Sequence, residues 1–168
     1  MDIDRNLESG LTSLLQASFP GYPKRSHFKL PPHFRYVATV GDELAAQMGV
    51  ELRIIRVGDA TVRTFGVVDL CVAATHRSRG LAGRLLDALT ADARARGIDF
   101  MLLFADDDRL YVRHGWAHVS NVCTWVKINE HRTLGLAERE SLGDAMMVKA
   151  TGTRAWPDGD VDLLGHVF

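Results

Sequence analysis

Residues Val67 to Gly83 read VVDLCVAATHRSRGLAG, and their reading decides how the rest of the chain is to be understood. The apolar run predicts a buried strand, a short basic turn follows, and small residues open a helix. A helix N-terminus leaves about four backbone N–H groups without intrahelical partners, and the aligned peptide dipoles place roughly half a positive charge there. Gly80, Ala82 and Gly83 keep bulk away from those groups, so a phosphate can approach them closely. Arg77, Arg79 and Arg84 add cationic donors at the same end. The stretch is a candidate pyrophosphate cradle, with an ordinary strand-to-helix connection as the plainer alternative. Neither G-x-x-x-x-G-K-[S/T] nor G-x-G-x-x-G occurs, which excludes a P-loop and a dinucleotide fingerprint.

The 168 residues are 46% hydrophobic and 24% charged, with a formal net charge of −1. That composition suits a single globular domain over residues 1–168 with a core of its own. It carries no charge bias toward nucleic acid or an anionic membrane. No run reaches the ~18 apolar residues of a membrane span, and the Met1–Arg5 start does not read as a signal peptide. Cys71 and Cys123 each fall in a predicted strand and read as reduced core thiols, which suits the cytoplasm.

Outward from the cradle, Ile3, Leu7, Leu11, Leu14 and Leu15 mark a helical stripe over residues 3–17, stopped by Phe19-Pro20-Gly21-Tyr22-Pro23. The stretch Lys24–Arg35 is basic, holds His27 and His33, and is broken by Pro31-Pro32, so it reads as a loop. Phe34–Val40, Leu44–Val57, Ala60–Phe65 and Val67–Ala73 read as strands, with turns at Gly41-Asp42 and Gly58-Asp59. Leu81–Arg96 is an amphipathic helix closed by Gly97. Ile98–Ala105 has the continuous apolar character of a strand buried on both faces. Asp106–Arg113 reads as a short helix with three aspartates near its positive end. Val119–Ile128 and Ala145–Ala150 read as strands, and 129–143 as a loop or short helix. The order predicts an α/β architecture of α+β character, a mixed sheet with helices on both faces.

The pattern Arg77-x-x-Gly80-x-Ala82 resembles the [Q/R]-x-x-G-x-[G/A] signature of the GNAT acyltransferase superfamily, which binds acyl-CoA at this turn. Leu110-Tyr111-Val112-Arg113-His114-Gly115-Trp116 resembles the L-Y-x-x-x-G-[F/W] element that follows at the spacing this superfamily needs. Within it the chain is most similar to the NodA-type nodulation N-acyltransferases and the aminoglycoside 2′-N-acetyltransferases. Leu44–Gly58 and Trp156-Pro157-Asp158-Gly159 carry the first likeness. Ala74–Ala88, the Tyr111 element and the short tail bearing a tryptophan carry the second. The resemblance runs from Phe34 to the last residue quoted, with a gap at 129–143.

The resemblance implies a GNAT fold: a mostly antiparallel sheet in which a parallel strand pair is splayed for acyl-CoA. Pantetheine would pair with Leu70, Cys71 and Val72, and the pyrophosphate would rest on Arg77, Ser78, Arg79, Gly80, Leu81, Ala82 and Gly83. Tyr111 would protonate the leaving thiolate. One departure concerns the base. In many members a glutamate early in the strand leading to the cradle accepts the amine proton, and by ungapped count that position is Gly66, or Val68 by the aminoglycoside pattern. Asp69 is the nearest carboxylate; strand alternation points it to the opposite face unless a β-bulge, usual in the family, re-aims it. Asp69, His114 and a water chain all stand as candidates.

Other polar residues have plainer readings. His114 and His118 lie on either side of Gly115-Trp116 and read as turn histidines, so no metal site is expected. His27 and His33 read as exposed or as acceptor contacts. Asp158, Asp160 and Asp162 read as solvated charges, but Val161, Leu163, Leu164, Val167 and Phe168 are too apolar for a free tail, so residues 156–168 are expected to dock, across the acceptor groove or against a second subunit of a homodimer.

The expected function is transfer of an acyl group, acetyl foremost, from acyl-CoA to the primary amine of a small molecule such as an amino sugar. Two alternatives stand beside it. One is NodA-like transfer of a longer chain from acyl carrier protein, which the basic Lys24–Arg35 stretch would meet. The other is a GNAT module that binds acyl-CoA without turnover.

Overall fold

A computed structural model of the chain describes residues 5–168. It opens with α1 (Arg5–Ser18), whose Leu11, Leu14 and Leu15 are buried as the helical stripe requires; Ile3 lies outside the described residues. Three long strands follow: β1 (Phe34–Val40), β2 (Glu43–Val57) and β3 (Ala60–Val72). Two-residue loops join them, with Gly41 and Gly58 at positive φ in the first loop position. A side chain is strained in that conformation, and a primed turn matches the twist of a hairpin.

Where two strands were expected over Ala60–Phe65 and Val67–Ala73, β3 runs unbroken through Gly66, which pairs with Glu51 on β2. Gly66 does not end the strand, because the space beside it is taken by another side chain, the ring of Phe168. After β3 a single turn at Ala74–His76 leads to α2 (Leu81–Ala95). Leu81, Leu85, Leu86, Leu89 and Ala93 turn one face of α2 onto the sheet. The helix closes with Gly97 at φ 63 and paired N–H bonds from Gly97 to Arg94 and from Ile98 to Ala93.

Then come β4 (Phe100–Phe104), α3 (Arg109–Arg113), β5 (Ala117–His118), β6 (Val122–Asn129), β7 (Arg132–Ser141), β8 (Met146–Ala150) and β9 (Val161–Asp162). They form one curled sheet in the order β5-β8-β4-β3-β2-β9-β6-β7, with β1 also on β2. Most neighbours are antiparallel; β3/β4 and β6/β9 are parallel. The architecture is a mixed α/β sheet with two parallel pairs, as the sequence leads one to expect. Helix α2 covers one face, while α1 packs through Leu14 and Leu15 against Cys71 on the other. The rest of that second face is closed by the curl of the sheet, where Ile55, Phe100, Cys123, Val161 and Leu163 share a core. No helix among the described residues is long and apolar enough to cross a membrane.

One expectation needs correction. Residues 129–143 are not a loop or helix but largely strand, the second arm of the β6–β7 hairpin. Its turn, Glu130-His131, takes positive φ at both central positions (46° and 65°) without the Gly or Asn that marks such turns. The strand itself is almost wholly exposed, so it has no alternating apolar pattern to find. The tail docks, and it does so on the sheet of its own chain. β9 inserts between β2 and β6, Asp162 accepts the Leu164 N–H at 2.9 Å, and Asp160 pairs with Arg139.

Leu163 is fully buried in that second core. Leu163→Ala is therefore expected to lower stability by about 2–4 kcal/mol in urea unfolding. A loss under about 0.5 kcal/mol would mean that the tail is not part of the fold.

Candidate active site

The pairing of β3 with β4 covers only Thr64–Gly66 against Phe100–Leu102. Beyond Gly66 the strands part, and among the described residues no strand pairs with that edge of β3. The gap is a slot of about 350 Å³ lined by Val67, Val68, Asp69 and Leu70 on one side and Leu103, Phe104, Ala105 and Tyr111 on the other. Phe19, Asp106, Asp107 and Phe168 complete it. A second cavity, about 660 Å³, lies at the start of α2. Val72, Arg77, Ser78, Gly80, Leu81, Ala82, Gly83 and Arg84 line it, together with His76, Leu110 and His114.

The cradle is built from strained backbone. Ser78 (φ 60) and Gly80 (φ 73) both adopt left-handed conformations ahead of α2, a geometry that turns successive N–H groups toward one concavity. A Cβ on Gly80 would meet nothing within 4 Å, so that position borders open space in the cavity it lines. His76 is buried, holds Glu43 at 3.0 Å through Nε2 and lies 3.3 Å from Arg79 through Nδ1, which anchors the turn. Arg77 donates to the Val72 carbonyl at 3.3 Å.

The base candidates separate in space. His114 sits over Gly83 in the cradle, where a Cβ would come within 2.7 Å of its ring, and it pairs with Asp87 at 3.2 Å. Asp69 lines the slot with Tyr111. A β-bulge puts it there: Gly49 pairs with Val68 and Gln47 with Cys71, so Met48 faces both Asp69 and Leu70. Asp69 takes φ 52, uncommon outside glycine. The bulge is pinned by fully buried Gln47, whose amide donates to the Asp69 carbonyl and whose oxygen accepts from Arg35 at 2.7 Å. Tyr22 donates to the Asp69 carboxylate at 2.5 Å. Burial raises the Asp69 pKa, against the lowering pull of Tyr22, Arg35 and Lys29. Burial also raises Tyr111, with the Asp107 charge acting in the same sense, so its hydroxyl keeps its proton.

Most residues named from the sequence meet in these two cavities. Cys71 and Arg79 do not: the Cys71 side chain packs under α1 with Leu14 and Tyr22, and Arg79 turns to His76. The three aspartates precede α3 instead of occupying its first turn, since the helix starts at Arg109; Asp107 pairs with Arg109 and Asp108 with His118. His114 and His118 thus serve different partners. His27 stacks on His131, and His33 accepts the Leu52 N–H at 3.2 Å.

A third cluster was missed. Beside the slot lies a smaller cavity of about 120 Å³, walled by Phe28, Lys29, Leu30, Glu51, Val68, Asp69 and His166–Phe168. Glu51, buried, pairs with Arg53 and with His166, the latter at 3.0 Å. Burial works against the Glu51 charge, but the His166 hydrogen bond and the Arg53 charge outweigh it and hold the carboxyl below its ordinary value. The available signal was Gln47 and Glu51 themselves, polar residues inside the apolar run of β2.

Residues 10–119 match the family model described as an acetyltransferase (GNAT) domain, and the chain belongs to that family. The fold is shared with the GNAT family N-acetyltransferase YhbS of Escherichia coli, solved in complex with CoA (18% identity, TM-score 0.65, 96% of this chain and 86% of that one). It is shared too with a GNAT family acetyltransferase of Brucella melitensis solved with acetyl-CoA (15% identity, TM-score 0.61, 96% and 92%). Eis1 of Mycobacterium abscessus is 21% identical over 73% of this chain (TM-score 0.61), which spans only 32% of that protein. No curated protein matches the chain in sequence.

A carboxylate with a depressed folded pKa favours folding most when ionised. The Glu51 contribution is full above its ordinary value of 4.5 and is lost as pH falls through the lower folded value. Glu51→Gln is expected to cost about 1–3 kcal/mol at neutral pH. That gap to the wild type should shrink in urea unfolding below pH 4.5; a constant gap would show that the charge of Glu51 is not what stabilises the fold.

Proposed function

We propose that the protein is an N-acyltransferase that moves an acyl group, acetyl foremost, from acyl-CoA to the primary amine of a small molecule. The observation that carries this reading is the continuity of one path. The free edge of β3 leads from the slot at Tyr111 and Asp69 to the cradle at the start of α2.

The residues present fit such a donor. An open strand edge supplies the N–H and C=O groups that pantetheine amides need, at Leu70 and Val72 with the backbone of Cys71 between them. Ser78, Gly80, Ala82 and Gly83, which line the cavity, would hold the pyrophosphate together with the Arg79 backbone between them, with Arg77 beside them and Leu81 anchoring the helix start in the core. Acyl-CoA brings the thioester whose C–S bond breaks as the amine nitrogen bonds to the acyl carbon. Asp69, its basicity raised by burial, would take the amine proton, directly or through water. Tyr111, kept protonated, would give a proton to the departing sulfur.

Asp106 and Asp107 line the slot with Asp69, an acidic surround that suits a cationic acceptor; an amino sugar is the class to test first. Transfer from acyl carrier protein finds no support in the basic stretch. There Lys29 donates to the Val167 carbonyl, Arg35 to Gln47 and Arg25 to the backbone of residues 27 and 28.

The reading is tested by CoA release from acetyl-CoA across a panel of amines. Tyr111→Phe keeps the packing on Trp116 and is expected to lower kcat by about 10²-fold or more with little change in CoA affinity. An unchanged kcat would leave Tyr111 a packing residue, and CoA binding without any release would favour a non-catalytic module.

Gly80→Glu puts a side chain and a negative charge into the cradle at φ 73. CoA affinity in calorimetry is expected to fall tenfold or more, about 1.4 kcal/mol. Unchanged affinity would take the cradle out of the mechanism.

A further inference from the structure

We propose that the ring of Phe168 is the stop that sets how long an acyl group the slot accepts, so that the donor is a short-chain thioester. This rests on the acyl-CoA reading of the slot. The closed end of the slot is fixed by the last β3–β4 pair, Gly66 with Leu102. At that end a Cβ on Gly66 would lie 2.0 to 2.4 Å from Cδ1, Cε1 and Cγ of Phe168. The ring therefore rests directly on the Gly66 backbone, in the volume that any larger residue at this position would claim.

The other side of the ring is held as firmly. The Arg53 guanidinium lies 4.1 Å from the ring centroid, a cation–π contact. Arg53 is tied to the Glu51 carboxylate and to the His166 carbonyl. Glu51 meets His166, and Lys29 holds the Val167 carbonyl at 2.8 Å. Paired charges within this buried cluster fix the last residues of the tail, so the ring is not a flexible flap that a chain can push aside.

Phe168 lines both the slot and the smaller cavity, and with Val68 and Asp69, which also line both, it stands between them. An acyl chain extending along β3 past Tyr111 toward Gly66 runs into it. Behind it, Phe28, Leu30 and Val68 offer apolar walls that would receive extra methylenes once the ring is gone.

The experiment measures CoA, acetyl-CoA and hexanoyl-CoA by calorimetry on wild type, Phe168→Ala and Phe168→Leu. Each affinity is read as a ratio to CoA on the same protein, because CoA has no acyl group to meet the ring. In the wild type hexanoyl-CoA is expected to bind no tighter than CoA. In Phe168→Ala the hexanoyl-to-CoA ratio should rise tenfold or more, with Phe168→Leu between the two. The proposal is overturned by an unchanged ratio in both variants, or by a wild type that already prefers hexanoyl-CoA to acetyl-CoA. If the alanine variant fails to fold, the leucine variant carries the same comparison. Absence of CoA binding to the wild type would overturn the acyl-CoA reading and this proposal together, whereas CoA binding with unchanged ratios overturns the proposal alone.

Discussion

Two parallel strands that stay paired through Gly66 and Leu102 and then separate impose the constraint on which the site depends. Backbone N–H and C=O groups left without partners are costly unless water or a ligand meets them. Here the open edge belongs to the strand that ends beside the N-terminus of α2, so its polar groups and the helix dipole face one path. The parting is compatible with stability because apolar residues line both sides: Val67 and Leu70 on β3 face Leu103 and Phe104 beyond the last pair. Tyr111 and Trp116, in edge contact, pack against the same core.

Within that frame the polar residues act as supports. The left-handed conformation of Asp69 is unfavourable for a residue with a side chain, and such strain persists only where the surroundings over-determine it. Gln47 does so from inside the core, bonding the Asp69 carbonyl while Arg35 holds Gln47. Tyr22, carried on the loop after α1, fixes the carboxylate. A one-residue bulge thus turns a side chain that alternation would send away into the slot, and three separate segments keep it there.

The tail completes the arrangement. β9 joins β2 to β6, and the residues after it run back to the slot, where Phe168 covers Gly66. The glutamate that the family resemblance leads one to expect at this position is sterically excluded by that ring. Its absence and the packing of the tail are one feature seen from two strands, with Glu51 directly across the ladder holding Arg53 and His166, which keep the tail in place.

The local signals in this chain were strong where one residue type carries the physics by itself. Gly80, Ala82 and Gly83 at a helix start, the leucines of α2 at helical spacing, and Gly41 and Gly58 in tight hairpins each announced their conformations. Other features rest on contacts between residues distant in sequence. The hairpin turn at Glu130-His131 lacked its usual residues, and β7 lacked a buried face to pattern it. The convergence of Glu51, Arg53, His166 and Phe168 spans more than a hundred positions, as in the Glu51–His166 bond with a separation of 115. The sequence alone determined α1, α2, the first two hairpins and the glycine-rich turn before α2, because short-range backbone sterics and periodicity dictate them. Only tertiary structure decided where Asp69 points and what fills the space above Gly66, because a bulge is defined by the partner strand and a vacancy by whatever packs into it.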